Sequence, residues 1–242
     1  MLDKIVVIVK EAGEIIRNAR QIERVTREKD GAANLVTQYD EAVQAFLKVD
    51  CDPQKLGVDF MSLSAHKVGG PKGIGALYIS NTVKNPRPLL PGGGQENGVR
   101  SGTEATAQIA GFAKAVELRR ENLDVKLSHM AQIKAYCREK LLTIPNMVAV
   151  GNGTAPHVLM VSLVGYPSAN VVTDLGAQGI CISAGSACHR GKLSHVVEAL
   201  KLDKRTAAGV LRISFSPDTT VSDIDALYDA LKTHQSTRFP ML

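Results

Sequence analysis

Apolar residues recur every three or four positions in the first part of the chain. Over residues 2–28 this spacing predicts an amphipathic helix. The segment KDGAAN at 29–34 predicts a turn, and the capping-box pattern TQYD then predicts a second helix over 38–48. The N-terminal part of the chain, residues 1–47, is therefore expected to be helical.

Two short apolar runs follow, and a glycine-rich segment separates them. VDFMSLSA at 58–65 and GALYIS at 75–80 predict two strands, with the glycines between them forming the turn. The next segment, NTVKNPRPLLPGGGQENG at 81–98, is rich in proline and glycine and predicts a long loop. Loops of this length usually have a function or lack order.

Helices and strands alternate in the second half of the chain. Two long helices are predicted over 103–143, and the last helix, over 220–235, begins with a capping pattern. Between them, strands are predicted at 147–151, 157–164, 179–185 and 209–216, and shorter helices at 169–178 and 194–201. This alternation predicts a C-terminal α+β domain.

The charge and composition of the chain argue against several classes of function. Its 242 residues carry a net charge of +5 and no Trp, and the basic run at 17–29 also contains acids, so nucleic-acid binding is not expected. No apolar stretch is long enough to span a bilayer, and the N-terminus lacks the pattern of a signal peptide. We therefore expect a cytoplasmic protein that binds neither nucleic acid nor a membrane.

The four cysteines have the spacing of neither a zinc site nor a disulfide framework. Cys51, Cys137, Cys181 and Cys188 form no CxxC pair, and no His lies at zinc-ligand spacing. Such usage is typical of a cytosolic protein with reduced thiols, and we expect no bound metal.

Cys188 is the cysteine whose surroundings suggest chemistry. It lies in the segment SAGSACHRGK, where small residues precede it and His, Arg and Lys follow it. A buried cysteine is the commoner case, and Cys181, among apolar neighbours, is expected in the core. Basic side chains beside Cys188 favour its thiolate, so Cys188 is a candidate nucleophile.

Lys67 ends a polar run, SAHK, between the predicted strand at 58–65 and the glycines. A Walker phosphate loop is excluded because the GxxxxGK[ST] order is absent and Lys67 precedes the glycines. A plain turn is one interpretation. The other is a lysine that forms an imine with a phosphorylated carbonyl compound, whose phosphate Ser64 and His66 would bind.

Arg212 stands alone as a charge within the apolar strand candidate VLRISFS. A buried arginine without a partner is costly, so Arg212 either pairs with an acid of the fold or binds an anionic ligand. Its planar guanidinium suits bidentate binding of a carboxylate.

Four segments together resemble one enzyme family. VDFMSLSAHKVGGPKGIGALYI, GGGQENGVRSGTEATAQIAGFAKA, SAGSACHRG and VLRISFS are similar, in order and spacing, to the cysteine desulfurases. These are class-V aminotransferase-like, fold-type I pyridoxal phosphate enzymes, and the resemblance spans about residues 43 to 235. It implies an α/β fold, with a partial fold-type I large domain and an α+β small domain at the C-terminus.

The resemblance also implies an activity and partners. A cysteine desulfurase is a sulfurtransferase that moves sulfur from L-cysteine to an active-site cysteine, as a persulfide, and releases L-alanine. Pyridoxal 5'-phosphate would be the cofactor, an iron–sulfur scaffold a sulfur acceptor, and a homodimer the assembly.

The same resemblance assigns a role to each candidate site residue. The catalytic residues would be Lys67, which attaches to the cofactor and shuttles the proton at the substrate α carbon, and Cys188, which attacks the substrate sulfur. Arg212 would hold the substrate carboxylate. The cofactor phosphate would be bound by Ser64, by His66 and, across the dimer interface, by Thr103; Gln44 would bond the phenolic oxygen, and Glu41 stands where the family has an aspartate for the pyridine nitrogen.

The N-terminal segment has a different resemblance. KDGAANLVTQYDEAVQAFL is similar to the N-terminal segment of inositol-monophosphatase-like proteins, which implies a fusion. We therefore expect an N-terminal helical segment at 1–47, a partial cofactor domain at 48–140 and a small domain at 141–242.

Two other functions remain open from the sequence. One is a catalytically impaired remnant that acts as a binding module for a desulfurase or a sulfur acceptor. The other is a selenocysteine lyase or a cysteine sulfinate lyase on the same scaffold.

Overall fold

The computed structural model describes residues 5–9, 26–28, 35–37, 47–48, 52–88, 90–185, 197 and 200–240. The chain divides into two compact units, residues 1–123 and 124–242. Each unit combines strands and helices, so the predicted mixed α/β class is confirmed. The predicted three-part division at residues 47 and 140 stays a prediction. No helix in the described ranges is long and apolar enough to cross a membrane.

Unit 1 is built on a three-stranded antiparallel sheet of order β1-β5-β4. Strands β4 (Phe60–Ser64) and β5 (Ile74–Ile79) form a hairpin, as the sequence predicts. Strand β1 (Ile5–Val9) pairs with the other edge of β5. Two short strands, β2 (Thr26–Glu28) and β3 (Leu35–Thr37), pair with each other.

The predicted helix over 2–28 is wrong at both of its described stretches, β1 and β2. Strand β1 has the sequence IVVIV, in which every residue is β-branched and therefore favours an extended backbone. Five apolar residues in a row fit a helix pattern as well as a strand pattern, and the hydrogen bonds to β5 decide between them. Of the helix predicted over 38–48, residues 47–48 form a turn, and the rest lies outside the described residues.

Helix α1 (Thr106–Arg120) packs on the β4–β5 hairpin. Its Phe112 is buried, and its Gly111 lies so close to Pro71 that an added Cβ would be 2.9 Å from the Pro71 ring. The core of the unit comprises Met61, Leu63, Ala65, Val68, Ile74, Ala76 and Phe112. The helix thus holds the glycine-rich turn of the hairpin in place.

Unit 2 has a four-stranded antiparallel sheet of order β6-β7-β9-β8. The strands are β6 (Met147–Ala149), β7 (Val158–Leu163), β8 (Ser183–Ala184) and β9 (Val210–Ser214). The helices are α2 (Leu123–Leu141), α3 (Ser168–Gly176), α4 (Lys204–Ala208) and α5 (Val221–Thr237). All were predicted except α4, while the helix predicted at 194–201 lies almost wholly outside the described residues.

The core of unit 2 comprises large aliphatic side chains from the sheet and from α2, α3 and α5. The most deeply buried include Leu141, Val161, Leu163, Val171, Leu175, Leu211 and Leu231. Each such side chain contributes about 1.5–3 kcal/mol through burial, so this core is the main source of stability of the unit.

Side-chain caps fix where two helices of unit 2 begin. Thr220 and Asp223 form a capping box at the start of α5: the Asp223 amide donates to Thr220 Oγ1 at 3.2 Å, and the Thr220 amide donates to Asp223 Oδ2 at 2.8 Å. This confirms the predicted cap. Asp203 caps α4 in a similar way, accepting from the amides of Arg205 and Thr206.

Gly209 lies where two backbones meet, between α4 and β9. Its carbonyl accepts a hydrogen bond from the Leu163 amide at 3.1 Å. A Cβ added to Gly209 would collide with the Leu163 carbonyl oxygen and would lie 2.8 Å from Ser162 Oγ. Only glycine allows the chain to pass β7 this closely.

Candidate active site

Lys67 is presented by a short 3₁₀ turn that follows β4. The turn spans Ala65–Val68, and Gly69 ends it with φ of +86°, a conformation that glycine adopts without strain. The Gly70 amide then donates to the Ala65 carbonyl at 2.9 Å and closes the turn. The sequence SAHKVGG therefore stops the strand at Ser64 and reverses the chain at once.

The turn buries its apolar residues and leaves its polar ones accessible. Ala65 and Val68 belong to the core of unit 1, whereas Ser64 and Lys67 are half-buried and His66 is exposed. No hydrogen bond joins the side chains of Ser64, His66 or Lys67 to another residue in the described ranges. These three side chains are the predicted site residues that the structure brings together, and they are available to a ligand.

Positive charge surrounds the turn. Partial burial lowers the pKa of His66, and the neighbouring charges of Lys67, Lys72 and Lys48 lower it further. A lowered pKa favours the neutral imidazole, which still has one N–H to donate. A hydroxyl, an imidazole N–H and several ammonium groups are the donors that a phosphate dianion would need.

Thr103 lies in the same unit, between the proline- and glycine-rich segment 81–98 and helix α1. Its side chain is exposed, and its carbonyl lies 3.5 Å from Arg100 Nη1. Within the described residues no hydrogen bond links Thr103 to Ser64 or His66. The predicted contact of Thr103 with a phosphate across a dimer interface stays a prediction.

Arg212 belongs to unit 2, at the middle of β9. It lies opposite Met160 of β7 and Ser183 of β8. Its Nη2 donates to Ser183 Oγ at 3.4 Å, and its Nε is buried without a hydrogen-bond partner in the described part of the chain. No described carboxylate forms an ion pair with Arg212. Of the two alternatives left by the sequence, the anionic ligand is therefore favoured.

Ser183 is a site residue that the sequence analysis missed. Its position opposite Arg212 depends on the register between β8 and β9, which no local pattern reveals. The other predicted residues, Cys188, Gln44 and Glu41, lie outside the described residues, as does Cys51. Their roles stay predictions.

The two described cysteines have different surroundings. Cys137 of α2 is completely buried, and burial raises the pKa of its thiol to about 12. Cys181 is exposed, so the expectation of a core position is wrong. It precedes the short strand β8, and its neighbours Ile180 and Ile182 pack against the core instead.

We expect this difference to control thiol reactivity at neutral pH. Cys181 of the native protein should react with iodoacetamide, while Cys137 should stay unmodified until the protein is unfolded. The buried thiol of Cys137 stays protonated at neutral pH, and the reagent cannot reach it. Peptide mass mapping with and without urea measures both sites. Modification of Cys137 as fast as Cys181 in the native protein would contradict the described packing of α2.

Known proteins resemble this chain over most of its length. The family model described as aminotransferase class-V matches residues 6–227. The cysteine desulfurase IscS of Clostridium botulinum is 38% identical over 200 residues, which cover 80% of this chain and 50% of the relative. The chain thus spans about half the length of the curated relatives it matches.

Solved structures show the same family. A NifS-like protein from Rickettsia africae superposes with a TM-score of 0.70 at 32% identity, over 79% of this chain and 51% of that one. The cysteine desulfurase CsdA of Escherichia coli superposes with a TM-score of 0.70 at 25% identity, over 82% and 51%. The predicted fold-type I class is therefore confirmed.

The family match also begins inside the segment for which a fusion is predicted, and the origin of residues 1–47 stays a prediction. Since the match begins within β1, includes the whole Lys67 turn and extends past Arg212 into α5, the chain belongs to the class-V aminotransferase family, as a cysteine desulfurase-like protein.

Proposed function

We propose that this chain acts as a pyridoxal phosphate-dependent cysteine desulfurase. It would transfer sulfur from L-cysteine to Cys188 and release L-alanine. The observation that carries the proposal is the turn after β4, which presents Ser64, His66 and Lys67 together, without partners among the described residues. The names of the relatives support the same activity.

The residues of this turn suit pyridoxal phosphate. Ser64 and His66 would hold its phosphate, with the positive charges of the nearby lysines favouring an anion there, and Lys67 would attach to its aldehyde carbon. The cofactor would have three further contacts: its phosphate with Thr103, its phenolic oxygen with Gln44 and its pyridine nitrogen with Glu41. When bound, the cofactor supplies an electron-withdrawing ring that makes the α carbon of an amino acid acidic.

The protein's own groups then have separate tasks. Arg212, whose Nε lacks a partner in the described residues, would hold the substrate carboxylate through its guanidinium. The Lys67 amine would move the proton at the α carbon. The Cys188 thiolate would attack the substrate sulfur, so that a sulfur–sulfur bond forms as the carbon–sulfur bond breaks, and the carbon keeps the electron pair and takes a proton to give alanine.

We further propose the setting in which this reaction takes place. The chain would work in the cytoplasm as a homodimer, since Thr103 is assigned to the phosphate of a second copy. The persulfide sulfur would pass to an acceptor protein such as an iron–sulfur scaffold.

An absorption spectrum tests the proposal directly. Added pyridoxal phosphate should give the purified chain a band at the violet end of the visible range, because attachment to Lys67 creates a conjugated chromophore. Lys67→Ala should lose the band, whereas Lys72→Ala, an exposed lysine in the connection from the turn to β5, should keep it. A folded wild-type chain that stays colourless would contradict the enzyme assignment and favour the non-catalytic binding module.

A further inference from the structure

The loop from Leu90 to Thr103 is closed by contacts within the chain. Leu90 and Arg100 pair as a parallel bridge, and Ser101 Oγ donates to the Leu90 carbonyl at 3.0 Å. A side chain at Gly92 would not fit, since its Cβ would lie 2.9 Å from Ser101 Cβ. The two ends of the loop are thus tied together.

The tip of the loop has a strained backbone. Glu96 and Asn97 have φ of 50° and 55°, in the left-handed region that is unfavourable for residues with a Cβ. The Gly98 amide donates to the Gly94 carbonyl at 3.3 Å and the Val99 amide to Glu96 at 3.1 Å, which stabilises this tight turn. Such a backbone conformation persists only where the surroundings hold it in place.

Gln95 connects the tip of the loop to its end. Its Oε1 accepts a hydrogen bond from the Gly102 amide at 3.3 Å. Gly93 makes room for this amide group, because a Cβ at that position would collide with Gln95 Oε1. The side chain of Gln95 therefore reaches across the loop to the backbone of Gly102.

Arg100 binds the carbonyl group of the same residue, Gly102. Its Nη1 donates to the Gly102 carbonyl at 3.1 Å and approaches the Thr103 carbonyl at 3.5 Å. Gly102 has φ of +109°, so the chain turns sharply just before Thr103. With Gln95 on the amide and Arg100 on the carbonyl, Gly102 has little freedom, and the exposed side chain of Thr103 starts from a fixed backbone.

We propose that Gln95 is a positioning residue for phosphate binding: its hydrogen bond to the Gly102 amide sets the backbone from which Thr103 meets the cofactor phosphate. The identity of the ligand rests on the proposed function. The conformation of the loop is inferred only from the hydrogen bonds of Gln95 and Arg100.

Binding of two aldehydes tests the role in phosphate recognition. Gln95→Met keeps the size of the side chain and removes the acceptor, so it should weaken binding of pyridoxal phosphate about tenfold, as should Thr103→Val. Binding of pyridoxal, which has no phosphate, should change less than about twofold. Equal losses for both aldehydes, or no loss, would overturn the proposal, since a general structural defect does not discriminate between them.

Amide hydrogen exchange of the chain without cofactor tests the effect of Gln95 on the Gly102 backbone separately from ligand binding. Gln95→Met should speed exchange at Gly102 about tenfold, whereas Gln95→Glu, which keeps an acceptor oxygen, and Thr103→Val should not. Failure of the wild type to bind either aldehyde would contradict the proposed function. Unchanged exchange at Gly102 in Gln95→Met would overturn the role of Gln95.

Discussion

Gly209→Ala is expected to lower the free energy of unfolding of unit 2 by about 3 kcal/mol or more. The added methyl group would collide with the Leu163 carbonyl oxygen and lie 2.8 Å from the Leu163 carbonyl carbon, so one of the two backbones must move. That movement would break the hydrogen bond from the Leu163 amide to the Gly209 carbonyl and disturb the junction of β7 and β9. Urea denaturation followed by circular dichroism measures the loss.

Gly176→Ala is the matched control in the same unit. Nothing lies within 4 Å of a Cβ built on Gly176, at the end of α3, so this variant should be neutral or more stable by about 0.4–1 kcal/mol. Equal urea midpoints for Gly209→Ala and wild type would mean that the backbones of Gly209 and Leu163 are not in contact.

Arg212→Gln is expected to reduce kcat/KM for L-cysteine roughly 10²–10³-fold. Loss of a charged partner for a bound carboxylate costs about 3–4 kcal/mol, which corresponds to this range. Arg212→Lys keeps the charge and loses the planar fork, so it should recover part of the activity. The measurement is sulfide release from L-cysteine with pyridoxal phosphate and a dithiol reductant present, since the reductant frees the sulfide from the Cys188 persulfide.

A substrate without a carboxylate provides the control. For 2-aminoethanethiol, Arg212→Gln and wild type should release sulfide at similar rates, because no group is left for Arg212 to bind. Thermal unfolding of the cofactor-free variant should match the wild type, since no described carboxylate pairs with Arg212. A variant that is equally impaired with both thiols would point to a structural role for Arg212.

Local patterns were sufficient to predict much of the fold. Strand β4, its hairpin partner β5 and helix α5 all follow from apolar spacing and turn or cap residues that are near one another in sequence. Helix α4 was missed because its five residues are too few to show a helical period. Strand β1 was mistaken for a helix because its conformation depends on β5, far along the chain.

The candidate site likewise has one part that follows from local sequence and another that depends on distant contacts. Ser64, His66 and Lys67 are neighbours in sequence, so a local pattern was enough to place them together at the end of β4 and in the turn that follows, while their roles stay predictions. The pairing of Arg212 with Ser183 depends on strand register, and the hydrogen bond from Gly102 to Gln95 depends on a loop closing on itself. Neither contact follows from the local pattern of residue types.

The strand order β6-β7-β9-β8 has a consequence for the timing of folding. Strand β9 lies between β7 and β8, yet it is the last strand of the sheet to be synthesised. A nascent chain that ends before Val210 has the β6–β7 hairpin but no strand to join β7 to β8. Non-local pairing of this kind is slow, and incomplete chains expose unpaired strand edges. Unit 2 therefore completes its sheet only after β9 has been synthesised, and chains terminated before that point would depend on chaperones.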